Sequence, residues 1–209
     1  MTAVPTYDRV APARTAAPVL NLPNVLTLGR LLVVPFFAGL LILDGTSTGA
    51  RLLAAVLFVV ACLTDVVDGH LARSRGQVTD FGVMADPIAD KALVGTALVG
   101  LSLLGALPWW ATLVVLGREV AVTVMRSALA RHGMIPASRG GKLKCLSQNV
   151  AVTLYLLPLA VLPLGAVLTD LRLPVLLLAV AATVLTGIDY ARQGARLHAR
   201  SRRPETVRS

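Results

Sequence analysis

The chain alternates long apolar runs with short basic gaps, and this pattern leaves its backbone few choices. A run of about 20 apolar residues reaches across a bilayer, where a helix satisfies its own backbone hydrogen bonds. With 56% hydrophobic and 15% charged residues among 209, the composition suits an all-α polytopic membrane protein rather than a soluble domain with one core. Hydropathy predicts six spans, at about 25–43, 51–69, 87–106, 109–131, 143–168 and 172–193. Pro158 and Pro163 are expected to kink the fifth, and Pro174 to sit in the first turn of the sixth. Trp109 and Trp110 open the fourth as an aromatic belt. Residues 1–20 read as a disordered tail, 21–193 as one six-helix domain and 194–209 as a basic tail.

The net charge of +9 does not imply a nucleic-acid partner. Its Lys and Arg lie in the gaps between spans, where orientation signals and contacts to anionic membrane lipids belong. They gather in the even-numbered connections and the tails, against Arg51 and Arg172 on the other side. The positive-inside rule then places both termini in the cytoplasm. Cys62 and Cys145 stand in apolar surroundings and imply no disulfide framework.

Acidic residues follow the opposite pattern. Five of the 11 fall between Asp65 and Asp90, in DVVDGHLARSRGQVTDFGVMADPIAD, between the second and third spans. Carboxylates at a membrane edge are expensive unless a positive charge compensates them. Asp65 and Asp68 are three apart, Asp86 and Asp90 four apart, so each pair shares a helix face. Asp86 is the expected N-cap of the third span, with Pro87 at its first position. Four carboxylates at two helix ends repel one another, and two hard divalent ions, Mg²⁺ or Mn²⁺, remove the conflict with oxygen ligands alone. The absence of His or Cys clusters argues against zinc. Gly69 and Ala72 leave room for a phosphate or flat group, and Arg73 offers a planar fork for phosphate. His70, inside the same stretch, reads as a bystander.

Two further basic features are candidates. Arg30 interrupts the apolar pattern of NLPNVLTLGR, either as a snorkelling anchor or as a phosphate or nucleotide contact. Arg118, Glu119 and Arg126 lie in the fourth span, and Arg139, Lys142 and Lys144 follow in SRGGKLKC. Cations beside flexible backbone amides near a helix start form an anion site. The plainer readings are positive-inside charge for Arg139, Lys142 and Lys144, and structural pairing for Arg118 and Glu119.

The spacing Asp65-x2-Asp68-Gly69-x2-Ala72-Arg73-x8-Gly82-x3-Asp86-x3-Asp90 resembles the signature of the CDP-alcohol phosphotransferases at all eight fixed positions. NLPNVLTLGRLLVVP, DPIADKALV, GREV and GGKLK resemble the bacterial branch that transfers a phosphatidyl group from CDP-diacylglycerol to glycerol 3-phosphate. The resemblance implies six transmembrane helices, a homodimer in the bacterial plasma membrane and a cytoplasm-facing site between helices 2 and 3. It implies that Asp65, Asp68, Asp86 and Asp90 bind two metal ions, with Asp90 also the general base. It further implies that Gly69, Ala72, Arg73 and Thr79 meet the CDP moiety, with Asn24 and Arg30 near it. Arg118, Arg126, Arg139, Lys142 and Lys144 are then expected to take the acceptor's phosphate. Other acceptors of the family are inositol phosphate, phosphatidylglycerol and serine. From other classes, a divalent-cation transporter and a non-catalytic lipid-binding scaffold are the alternatives; clustering of the acids at one face argues against an ion path.

Overall fold

A computed structural model of the chain describes residues 21–74, 79–129 and 139–201. The expected 1–20 tail, the end of the C-terminal tail and most of the gap before Arg139 lie outside those residues. The described residues form six α-helices: α1 (Leu22–Asp44), α2 (Thr48–Ser74), α3 (Asp80–Leu103), α4 (Trp109–Leu129), α5 (Arg139–Leu156) and α6 (Gly165–Ser201). A single 3-10 turn, Leu159–Val161, joins the last two. The described part of the chain is therefore all-helical, and α1, α2 and α6 contain stretches long and apolar enough to cross a membrane: Asn24–Asp44, Thr48–Gly69 and Gly165–Ala195. Helices α3, α4 and α5 each carry three or more charged residues within their apolar runs, among them Asp86, Asp90 and Lys91 in α3, Arg118, Glu119 and Arg126 in α4, and Lys144 in α5.

Large apolar side chains face outward on every long helix, including Leu32, Leu43, Leu63, Leu113 and Leu185. Such surfaces suit lipid rather than water. Inside, α1 packs on α2 and α3, α5 on α6, and α4 on α6. The core between them is built from Phe37, Leu41, Phe58, Leu93, Leu101 and Leu156, with Ala54, Ala55 and Ala97 fully or nearly buried at the contacts. Small residues let helix backbones approach, which is how helices associate where lipid is as apolar as leucine.

Three boundaries differ from expectation. Asp65 and Asp68 do not close their helix: α2 continues to Ser74. Helix α3 starts at Asp80 rather than at Asp86, with Thr79 as its N-cap, accepting from the Gly82 amide at 3.1 Å. Pro87 therefore lies inside α3, not at its first position. Thr79 prevails as the cap because the turn it starts buries Gly82 and Ala85 and lets its hydroxyl bond α1 as well. The third difference concerns the last two helices. Pro158 ends α5 instead of kinking it, having no amide to continue the ladder. Pro163 falls in the connection, α6 begins at Gly165, and Pro174 lies within it.

The break at Pro158 exposes the last carbonyls of α5, and two arginines cover them. Arg51 Nε donates to the Leu156 carbonyl at 3.2 Å, and its Nη2 donates to that of Tyr155. Arg172 donates to the carbonyls of Leu154 and Leu157 at 3.1 and 2.8 Å and lies over the Tyr155 ring. The two basic residues assigned to the far side of the membrane thus act as a helix C-cap.

The α1–α3 contact depends on Gly100. A Cβ there would sit 2.7 Å from Leu41 Cδ1, and Leu41 is itself buried. Gly100→Val should lower stability by about 1–3 kcal/mol through overpacking, read as a fall in the thermal unfolding midpoint in detergent. An unchanged midpoint would mean that α1 and α3 are not packed this closely.

Candidate active site

Helix α1 organises the acidic end of the bundle. Asn24, Thr27 and Arg30 recur every third residue, lie on one face and are 5%, 1% and 3% exposed. Each reaches a residue of the acidic stretch. Thr79 Oγ1 donates to Asn24 Oδ1 at 2.9 Å. Thr27 Oγ1 donates to Asp86 Oδ1 at 2.5 Å. Arg30 forks between two carboxylates on α2: Nη1 donates to Asp65 Oδ1 and Nη2 to Asp68 Oδ2, the latter at 2.7 Å. The sequence left Arg30 between membrane anchor and ligand contact; the structure buries it as the counter-charge of Asp65 and Asp68.

Two helices thus bring the four aspartates to the same end of the bundle, Asp65 and Asp68 from α2 and Asp86 and Asp90 from α3. The donor set suits a hard divalent cation. Asp68 is 2% exposed and its Oδ1 has no hydrogen-bond partner of normal geometry, an orphaned acceptor that an ion would satisfy. In this arrangement, however, no three acidic, histidine or cysteine side chains among the described residues stand close enough to enclose an ion. Asp65, Asp68 and Asp86 bond Arg30 and Thr27 instead.

A second charged cluster joins α4, α5 and α6. Glu119 Oε1 accepts from Arg118 Nη1 at 2.8 Å and from Lys144 Nζ at 2.5 Å. Arg118 Nη2 also donates to Thr186 Oγ1 at 2.9 Å, and its guanidinium lies 5.6 Å from the centre of the Tyr190 ring. Arg118, Arg126, Lys144 and Lys91 line one cleft of about 450 Å³, with Glu119 and Tyr190. A small adjoining cavity of about 30 Å³ shares Lys91, Glu119 and Lys144 with that cleft, and Asp90 forms part of its wall. Asp90 and the basic cleft are therefore neighbours.

The structure brings together three of the five basic residues singled out from sequence. Lys142 is exposed and takes no part in the cleft lining. The backbones of Ala72 and Arg73 lie in α2 and that of Arg139 starts α5, but their side chains fall outside the described set. Thr79 serves as cap and partner of Asn24. Sequence reasoning missed Thr27, Lys91 and the bridging role of Glu119. Thr27 had a usable signal, its three-residue spacing from both Asn24 and Arg30. Lys91 had another, being the cation next to Asp90.

The chain is also similar in sequence to known proteins. The family described as CDP-alcohol phosphatidyltransferase matches residues 20–186. A probable phosphatidylglycerophosphate synthase of Mycobacterium tuberculosis (strain ATCC 25618 / H37Rv) is 49% identical over 181 residues, covering 86% of this chain and 84% of that protein. A CDP-diacylglycerol--glycerol-3-phosphate 3-phosphatidyltransferase of Bacillus subtilis (strain 168) is 37% identical over 183 residues, covering 82% and 94%. One of the same description from Escherichia coli (strain K12) is 38% identical over 138 residues, covering 63% and 74%.

Gly82 tests how closely α1 seats on this end. A Cβ there would sit 2.9 Å from Asn24 Oδ1 and 3.3 Å from Thr79 Oγ1. Gly82→Ala should break the Asn24–Thr79 bond or push α1 off α3, lowering both the detergent unfolding midpoint and turnover. Unaltered values for both would show that the α1–α3 seat tolerates a side chain at this position.

Proposed function

The chain belongs to the CDP-alcohol phosphatidyltransferase family, and from that premise we propose that it transfers the phosphatidyl group of CDP-diacylglycerol to glycerol 3-phosphate. The products are CMP and phosphatidylglycerol phosphate, a step of phospholipid biosynthesis. The observation that carries the choice of acceptor is the cleft lined by Lys91, Arg118, Arg126 and Lys144 beside Asp90. A phosphorylated acceptor needs such cations near the base that activates its hydroxyl, and a neutral alcohol or serine does not. The names of the relatives support the same acceptor.

The roles follow from the chemistry. Asp90 accepts the proton of the 1-hydroxyl of glycerol 3-phosphate. The deprotonated 1-oxygen of glycerol 3-phosphate forms a bond to the β-phosphorus of CDP-diacylglycerol. The bond from that phosphorus to the bridging oxygen breaks, and CMP departs with the electron pair. Arg118, Arg126 and Lys144 hold the acceptor's phosphate so that its hydroxyl lies towards Asp90. Arg73, Gly69, Ala72, Thr79 and the Asn24–Arg30 face of α1 form the nucleotide side. Asp65, Asp68, Asp86 and Asp90 would hold two divalent ions, Mg²⁺ or Mn²⁺, whose charge would offset that of the pyrophosphate and of departing CMP.

The same reading places residues 21–193 as the catalytic domain, crossing a bacterial plasma membrane six times and working as a homodimer. Both termini and the cleft face the cytoplasm, where soluble glycerol 3-phosphate is found. The charge distribution supports that orientation, since Arg51 and Arg172 at the other end are engaged with α5 carbonyls.

The direct test is CMP release by purified protein given CDP-diacylglycerol and Mg²⁺ or Mn²⁺, with glycerol 3-phosphate, inositol phosphate, phosphatidylglycerol or serine in parallel. Release with glycerol 3-phosphate alone is expected. Release only with inositol phosphate would reassign the cleft, and none with any acceptor would return the transporter and scaffold readings. Asp90→Asn should reduce turnover by at least about a thousandfold while CDP-diacylglycerol still binds. Lys144→Ala should raise the acceptor KM about tenfold or more with little change for the liponucleotide; equal effects on both substrates would remove the phosphate from this cleft.

A further inference from the structure

The acidic cluster is already compensated by the protein itself. Arg30 is buried, donates to both Asp65 and Asp68, and leaves its Nε without a partner. Its charge therefore has no destination except these two carboxylates. Asp86 is turned to Thr27 on the same face of α1. With these contacts made, no three carboxylates among the described residues converge, although the four belong to one end of the bundle. We propose that Arg30 is an internal counter-cation that a divalent ion must displace from Asp65 and Asp68, so that Arg30 sets the metal affinity of the site. The inference rests on the reading of these aspartates as metal ligands given above.

The physics has a definite sign. A fixed positive charge within hydrogen-bond distance of two carboxylates competes for their lone pairs and repels an arriving cation. Removing it should tighten metal binding, whereas removing an uncharged structural residue would leave binding unchanged or weaken it. Displacement has a second consequence. The guanidinium released from Asp65 and Asp68 keeps its donors at the acidic end of α1, free for a phosphate oxygen. Metal loading would then be what makes Arg30 available to an anionic substrate. An arginine held by two acids before the ion arrives cannot be recruited by the nucleotide first, which gives the site an order of assembly.

The test is Mn²⁺ binding to the full chain in detergent, followed by the paramagnetic resonance signal of the free ion. Three proteins are compared: the natural chain, Arg30→Gln and Arg30→Lys. The proposal expects the Kd for Mn²⁺ to fall about tenfold or more in Arg30→Gln, with Arg30→Lys staying near the natural value because the charge remains. It also expects Arg30→Gln to unfold at a lower temperature without metal and to recover most of the loss with Mn²⁺, so that its metal-induced rise exceeds that of the natural chain. If Arg30→Gln is too unstable to isolate without metal, it is purified in Mn²⁺ and stripped with EDTA; half-release should then need more chelator than in the natural chain. Equal or weaker Mn²⁺ binding by Arg30→Gln, or equal or easier stripping, overturns the proposal while leaving the metal site intact. Failure of the natural chain to bind Mn²⁺ at all overturns both.

Discussion

The bundle's acidic end depends on one buried contact, the fork of Arg30 between Asp65 and Asp68. A buried ion pair is weak evidence of net stability, but deleting one partner leaves an uncompensated charge and costs about 3–5 kcal/mol. That asymmetry ties α1 to α2 wherever the acids are kept. Thr27 and Asn24 extend the attachment to α3 through Asp86 and Thr79. Helix α1 is otherwise an apolar span, so its polar face is used almost wholly in seating the two helices that bear the aspartates. The close approach at Gly100, further along the same helices, belongs to the same fit.

The second cluster follows the same rule with signs reversed. One carboxylate, Glu119, joins two cations, Arg118 and Lys144, as one arginine joins two carboxylates on α2. In both places a minority charge orders a majority of the opposite sign within an apolar bundle. The majority residues are thereby held close to one another despite their like charge. Asp90 lies between the two, in the wall of the small cavity next to Lys91 and Lys144. Asp90 and the cations of the cleft thus come from different helices but share a boundary.

Much of this was legible in the sequence because it is local. The eight signature positions, the helical class, and the bounds of α1 and α4 within a few residues all follow from short-range spacing and hydropathy. The start of α3 was misread because two good caps, Thr79 and Asp86, stand seven residues apart and only the burial of Gly82 and Ala85, with Gly82 seated against Asn24 of α1, decides between them. The end of α5 was misread because a proline in an apolar run permits either a kink or a stop. The stop prevails where Arg51 and Arg172, distant in sequence, arrive to bond the freed carbonyls. Thr27 and Lys91 went unassigned, and the bridge from Glu119 to Lys144 unforeseen, for a related reason. Their roles lie in partners 25 to 59 positions away or in a shared cavity wall, and no local pattern encodes those. Lys142 shows the converse: its neighbourhood resembles that of Lys144, but a helix turns the two to different faces, one exposed and one buried.

Helix α6 has 37 residues, about 55 Å at the helical rise, whereas hydrocarbon about 30 Å thick needs only about 20 of them. The remainder is a stiff mast rather than a tether, with Arg192, Arg196 and Arg200 recurring at every fourth position. Thr186 and Tyr190, which hold Arg118, are set into the same rod. The helix that presents this row of arginines therefore also holds Arg118 in place, so the course of its end and the aim of that guanidinium cannot be changed independently.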